Sequence, residues 1–183
     1  MATGHPGEVS IRRIAEEAGV ALSTVQYYFP NKEELLESLL DDYYERLAAV
    51  ASSLPPPLHG GAREWIRQVV GAHFRFARSE RLSLRLRTHL NTDVGRLPAR
   101  RDHEILQPAL NHAVSVLGGA SAEAVEGLRL IVLSMSFLIT KYAMMTDDEL
   151  RAATGCDADG APDVIEQHLA AVAERFLMST AQT

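Results

Sequence analysis

Residues 9–36 read VSIRRIAEEAGVALSTVQYYFPNKEELL, and the punctuation of this stretch decides the fold. Ile11, Ile14, Ala15 and Ala18 recur at helical spacing, which gives the first segment one apolar face. Gly19 follows where a helix C-terminus needs a residue that tolerates a left-handed backbone. The next segment, 21–29, interleaves three core candidates, Leu22, Val25 and Phe29, with Ser23, Thr24, Gln26 and Tyr27. Those four carry short or flat hydrogen-bonding groups able to press into a nucleic-acid groove. Pro30 stops the helix cleanly. Asn31 can cap the helix that follows, and Glu34 three residues on closes a capping-box-like arrangement. Two short helices, a tight turn and a capped third helix have the shape of a helix-turn-helix, which lays its second helix in the DNA major groove.

The order I-A-x-x-A-G-V-A-x-S-T-V-x-Y-Y-F-P-N-K-E-E-L-L over 14–36 resembles the DNA-binding segment of the TetR family of bacterial transcriptional regulators. Its most specific part is Tyr28-Phe29-Pro30-x-Lys32-x-x-Leu35: an aromatic pair, a turn and a lysine opening the next helix. A cation in the first turn of a helix opposes the helix dipole, so Lys32 makes more sense reaching outward to a phosphate. The resemblance implies that Thr24, Tyr28 and Lys32 contact phosphates while Ser23, Gln26 and Tyr27 face base edges. The plain readings stand beside these: Tyr28 as a core aromatic, Gln26 as a solvated side chain. The sequence departs from the family pattern at Ala21, in place of a Ser/Thr cap, and at Leu22, where relatives carry a polar or basic residue.

Composition sets the class. With 46% hydrophobic and 23% charged residues the chain is an ordinary globular protein. Its longest apolar run, 128–140, contains serines and falls short of a bilayer span, so it reads as a buried helix and no membrane partner is expected. No signal peptide is evident at the N-terminus, and Cys156 is alone, which excludes an internal disulfide and a cysteine zinc cluster; a cytoplasmic location follows. A net charge of −6 looks wrong for a DNA binder, but its distribution matters more than its sum. Residues 1–50 carry four bases against nine acids, and six of those acids (Glu33, Glu34, Glu37, Asp41, Asp42, Glu45) lie on the helix after the recognition helix. Residues 63–101 reverse the sign, with ten arginines against three acids.

Along the chain there is no convincing strand, so the fold class is all-α. Helices are expected at 31–54, with a stripe of Leu35, Leu36, Leu39, Leu40, Tyr43 and Leu47, and then at about 62–79, 81–94 and 101–118. The run SSLPPPLHGG at 52–61 is the plainest break. Ser121 can cap a long apolar helix to about 145, a short helix follows at 147–153, and Pro162 opens a last amphipathic helix ending near 178. The 121–145 helix is apolar nearly all round and must be buried on every side. The pattern reads as a small N-terminal helix-turn-helix domain, 1–45, joined to a larger helical domain, 46–183, to which the resemblance assigns effector binding and dimerisation.

The resemblance implies a homodimer through the helices near 121–145 and 162–178, presenting two recognition helices about 34 Å apart to a palindromic double-stranded operator. It also implies a repressor released by a small-molecule effector. The pocket region expected for it lies among 62–118 and the start of 121–145, where Trp65, Phe74, His89 and Met135, with His73 and Phe76, are the candidates; each also reads as a plain core or surface residue. The series Arg75, Arg78, Arg81, Arg85, Arg87 fits either an anionic ligand or a face pairing with acids.

Nothing points to an enzyme or a cofactor: the histidines show no metal-ligand spacing, and no nucleophile elbow or Gly-rich phosphate loop occurs. An α-helical interaction module, a remnant that no longer binds DNA and an α-helical enzyme stay open as alternatives. The family's DNA-binding domain has three helices, yet only residues 1–8, with two glycines and a proline, precede this helix-turn-helix. The first helix is apparently missing, and the expectation is that the natural start lies upstream of Met1.

Overall fold

The computed structural model describes residues 10–53, 61–93, 111, 122–157 and 159–180. Every regular element among them is an α-helix: α1 Ile11–Ala18, α2 Leu22–Tyr28, α3 Lys32–Ser53, α4 Ala62–Ser79, α5 Arg81–Asp93, α6 Ala122–Met144, α7 Asp147–Thr154 and α8 Ala161–Thr180. Apart from Asn111, which is helical and exposed, the expected helix at 101–118, the Ser121 cap and the question of a helix before Ser10 lie outside the described residues.

Local signals explain most of the boundaries. Gly155 ends α7 at φ 69°, in the left-handed region that glycine enters without strain. Thr146 opens α7 with a full capping box: its N–H donates to Glu149 Oε2 at 2.7 Å, and the Glu149 N–H donates to Thr146 Oγ1 at 3.2 Å. Those bonds from Thr146 hold the Glu149 carboxyl below the usual carboxylate range. The turn between α6 and α7 is clamped from a distance by Arg78, whose side chain is only 16% exposed. It donates to the carbonyls of Met145 at 2.6 Å and Ala143 at 3.4 Å, and pairs with Asp147 at 2.5 Å. Carbonyls at a helix C-terminus lack partners within the helix, and a guanidinium satisfies several at once.

The core is built by α4, α6 and α8, closed by α3, α5 and α7. Leu40 and Tyr43 of α3, Ile66 and Phe74 of α4, Leu84 of α5, Leu150 of α7 and Leu169 of α8 are each almost fully buried in one cluster. Helix α3 thus runs without a break from the helix-turn-helix into the larger core. Along α3 the expected stripe holds at Leu35, Leu40 and Tyr43, but Leu39 is 48% exposed and Tyr44 is buried in its place. Helix α3 packs against α4 and α5, with Arg87 of α5 over the Tyr44 ring, and Leu39 stays outside that contact.

Helices α4 and α8 lie antiparallel along a charged seam. Arg67 pairs with Glu174 and Arg75 with Glu166, so residue numbers rise on one helix as they fall on the other. Between the two pairs a Cβ on Gly71 would stand 2.5 Å from Glu166 Oε1, so glycine lets the Arg75–Glu166 pair cross close to the α4 backbone. Paired acids thus answer the arginine series at Arg75 and Arg78, while Arg81 has Asp147 and Glu149 nearby and Arg87 lies 5.7 Å over the Tyr44 ring.

The longest apolar helix needs a correction. Over Glu126–Met144, 19 residues, α6 is long and apolar enough to cross a membrane. An unbroken apolar run falls short of this span because Arg129 and Lys141 interrupt it. Leu128, Met135, Ile139 and Ala143 pack this helix into the core, however, against α4 and α8. Within the chain α6 is not buried on every side: Leu130 is 61% and Phe137 74% exposed.

His73, on α4, is half-buried and close to the charge of Arg87. Desolvation, with a smaller push from Arg87, lowers its pKa to about 4. The unfolded chain takes up a proton on this ring below about pH 6.5, while the folded chain does not, so folding stability drops as pH falls from about 6.5 toward 4. The expected loss from this ring alone is about 1–2 kcal/mol between pH 7 and pH 5. Thermal unfolding of the wild type and His73→Gln across that range checks it: the variant should show the shallower pH slope, and parallel curves would refute the assignment.

Candidate nucleic-acid interface

Ser10 caps α1, its side chain accepting the Arg13 N–H at 3.3 Å. Gly19 ends the helix at φ 67°, which turns the chain sharply into α2. Ala15 is the buried point of α1, with Ile11 and Ile14 half-buried beside it, while Ala18 at the last position of the helix is exposed. Helix α2 starts without a side-chain cap, as alanine at 21 requires; only the Ala21 carbonyl receives the Thr24 and Val25 N–H groups, at 2.9 and 3.3 Å. At the other end Phe29 leaves the helix in an extended conformation, its N–H still bonded to the Val25 carbonyl at 2.8 Å. Pro30 follows, and Asn31 then opens α3: its Oδ1 accepts the Glu34 N–H and its Nδ2 donates to Glu34 Oε1, both at 2.9 Å.

This leaves α2 seated by one residue. Val25 is 8% exposed and Phe29 half-buried, so two of the three core candidates face inward. Leu22, the third, is 36% exposed: it sits in the first turn of a seven-residue helix, at the end away from the Phe29 anchor. Opposite Val25, helical spacing puts Ser23, Thr24, Tyr27 and Tyr28 on one strip, with Gln26 on its flank. All five are exposed, Tyr27 by 81% and Tyr28 by 68%. Tyr28 is therefore not a core aromatic. Its ring meets that of Tyr27 edge-on, with centroids 5.1 Å apart and planes at 88°. Lys32 is half-buried in the first turn of α3.

The strip presents hydroxyls, an amide and two phenols, groups that accept and donate hydrogen bonds and stack, and it carries no acid. Its neighbouring helices carry exposed acids, Glu16 and Glu17 on α1 and Glu33, Glu34, Glu37, Asp42 and Glu45 on α3. On α1, Arg12 bonds Glu16 at 3.3 Å across one turn, and Arg13 is an exposed cation that the sequence reading left out of the site. A basic pair in the first turn after a cap residue was its only signal.

A convex polar strip on a short helix, buttressed by a second helix through a glycine turn and locked by an Asn-capped third, is the geometry of a helix-turn-helix. Residues 6–39 match the family of bacterial regulatory proteins called the tetR family. This segment is a TetR-family helix-turn-helix. The chain is also similar to an uncharacterized HTH-type transcriptional regulator in the 5′ region of dhlA in Xanthobacter autotrophicus, 31% identical over 68 residues. That similarity spans 34% of this chain and 34% of the relative, so the chain covers about a third of the length of the curated relative it matches. Beyond the TetR-family segment, the larger helical half rests on its own structure.

In that half, Trp65, Phe74 and Met135 come together in one core cluster at 7%, 1% and 6% exposure, with Phe76 packed against it. The His89 side chain lies outside the described residues. An open slot of about 430 Å³ runs along the α4–α8 seam, lined by Arg67, Glu166, Gln167, Ala170, Ala171 and Glu174. On the far side of α6 from the core, Leu130, Phe137 and Leu138 are exposed, and α8 adds Val164 and Phe176. Tyr142 of α6 and His168 of α8 meet edge-on at 6.2 Å, which joins the two helices.

Proposed function

We propose that this chain is a DNA-binding transcriptional regulator that acts as a homodimer, represses from a palindromic operator and is released by a small-molecule effector. The observation that carries the DNA-binding part is the exposed strip Ser23–Thr24–Tyr27–Tyr28 on a helix of TetR-family type, with Gln26 on its flank and Lys32 next to it. Thr24, Tyr28 and Lys32 are assigned to phosphates, which supply most of the affinity, and Ser23, Gln26 and Tyr27 to base edges.

The dimer reading is supported by the exposed apolar face of α6 and α8. Exposed large side chains such as Leu130 and Phe137, on the side of α6 away from its core residues, mark an interaction site, and a second copy is the partner that a two-fold operator requires. Release needs an effector that prefers the state whose recognition helices no longer fit the half-sites. Trp65, Phe74, Met135 and His89 mark the region assigned to it, and repression and a cytoplasmic setting follow the family expectation.

Selection of bound fragments from a random DNA pool tests the reading. An enriched inverted repeat, bound with an affinity that falls steeply with salt, is the expected result. Failure to enrich any sequence, with weak binding insensitive to salt, would overturn it.

A further inference from the structure

Glu80 stands where α4 ends and α5 begins. Its N–H bonds the Phe76 carbonyl and its carbonyl receives the Leu84 N–H, both at 2.9 Å, so the residue belongs to both helices. Its carboxylate, 20% exposed, accepts Arg46 Nη1 at 2.5 Å on Oε1 and Ser83 Oγ at 3.3 Å on Oε2. Arg46 is held from its own helix as well, by Asp42 Oδ2 at 2.8 Å and by the Asp42 carbonyl at 3.3 Å. Next to this pair, Arg87 of α5 lies over Tyr44 and hydrogen-bonds Tyr43, whose ring packs 5.4 Å from Phe76. The α4–α5 corner thus grips α3 through directional polar contacts at one level of the helix.

From Arg46 the α3 backbone runs unbroken to Lys32 and the recognition helix, about 21 Å at 1.5 Å per residue. A tilt of ~5° at the grip displaces that end by roughly 2 Å. Apolar contacts such as those of Leu40 and Tyr43 permit some sliding of one helix over another, whereas an ion pair with a defined partner on each side fixes a direction.

We propose that the Arg46–Glu80 ion pair is a positioning latch that sets the angle at which α3 leaves the helical domain, and so sets where α2 meets DNA. This rests on the DNA-binding reading above, and names Arg46 and Glu80 as positioning residues without contact to DNA.

The test uses Glu80→Gln, Arg46→Gln and the double variant in the full chain. Each single variant should lower affinity for the selected operator by at least about fivefold while remaining folded by circular dichroism. The double variant should be no worse than either single, because the two residues act as one unit. A second measurement does not involve DNA. Spin labels at Gln26→Cys and Ala152→Cys, in a Cys156→Ser background diluted with unlabelled protein, report the distance from α2 to α7 within one chain. Glu80→Gln should shift or broaden that distance by about 2 Å or more. Unchanged distances overturn the latch, as does a shifted distance with unchanged operator affinity. If the wild type binds no DNA, the regulator reading fails by itself, and the spin-label distance still decides whether the pair sets the angle of α3.

Discussion

Changing Tyr28 and Lys32 together to alanine should lower affinity for the operator by about 100-fold or more. In the proposed dimer the double variant would remove the four phosphate contacts assigned to these residues. At ~0.7 kcal/mol each, below the usual value for hydrogen bonds to charged groups, the sum already reaches two decades. Loss of the two lysines should also reduce the slope of log affinity against log salt by about 2. The fold should survive, because Tyr28 is 68% exposed and Lys32 lies in the first turn of α3 outside the core. Val25, Ala15 and the Asn31–Glu34 cap, which seat the recognition helix, are untouched. Titration of labelled operator at several salt concentrations, with a circular dichroism melt of the same sample, checks both halves. Retained affinity in a folded double variant would remove these residues from the interface.

Phe137→Arg should convert the dimer into monomers at micromolar concentration and weaken operator binding in parallel. Phe137 is 74% exposed in the single chain, with Leu130 two turns before it and Leu138 beside it. A two-fold interface uses the same patch twice, so one substitution places two guanidinium groups into it. Burying a charge without a partner costs several kcal/mol, enough to raise the dissociation constant by about 100-fold or more. The monomer itself should stay folded, because the core side of α6, formed by Leu128, Met135, Ile139 and Ala143, is unchanged. Sedimentation velocity of wild type and variant decides the matter. A wild type that sediments as a monomer, or a variant that still dimerises, would place the interface elsewhere.

The two effects are coupled by geometry. A monomer still carries an intact α2 strip, so its residual DNA binding should be weak and insensitive to the spacing of half-sites. The Tyr28/Lys32 double variant should remain a dimer.

Much of this was written locally in the chain. Gly19 and the Asn31–Glu34 cap fix where helices stop and start within three or four residues, and a residue such as Gly19 acts through its own φ of 67°. The helix-turn-helix and its exposed strip therefore follow from residues 10–35. Helical period also fixed α4 as Ala62–Ser79 and placed α5, α6 and α8 within three residues of their ends. What period could not fix is which neighbour covers a given face. Leu39 and Leu22 fit apolar stripes and are exposed, while Tyr44 lies off the α3 stripe and is buried.

Caps, turns and helical spacing act over a few residues, so an all-α chain, a TetR-family recognition segment and the polar side chains along α2 are legible without any long-range contact. Tertiary structure alone decided the fate of the charges and of α6. The partners Arg67–Glu174, Arg75–Glu166 and Arg46–Glu80 are 107, 91 and 34 residues apart, and no local pattern marks them. Likewise one side of an all-round apolar helix is buried and the other left open only because α4 and α8 pack against one side of it. Of these contacts, the Arg46–Glu80 pair is the one that reaches α3 and to which the setting of its angle is assigned.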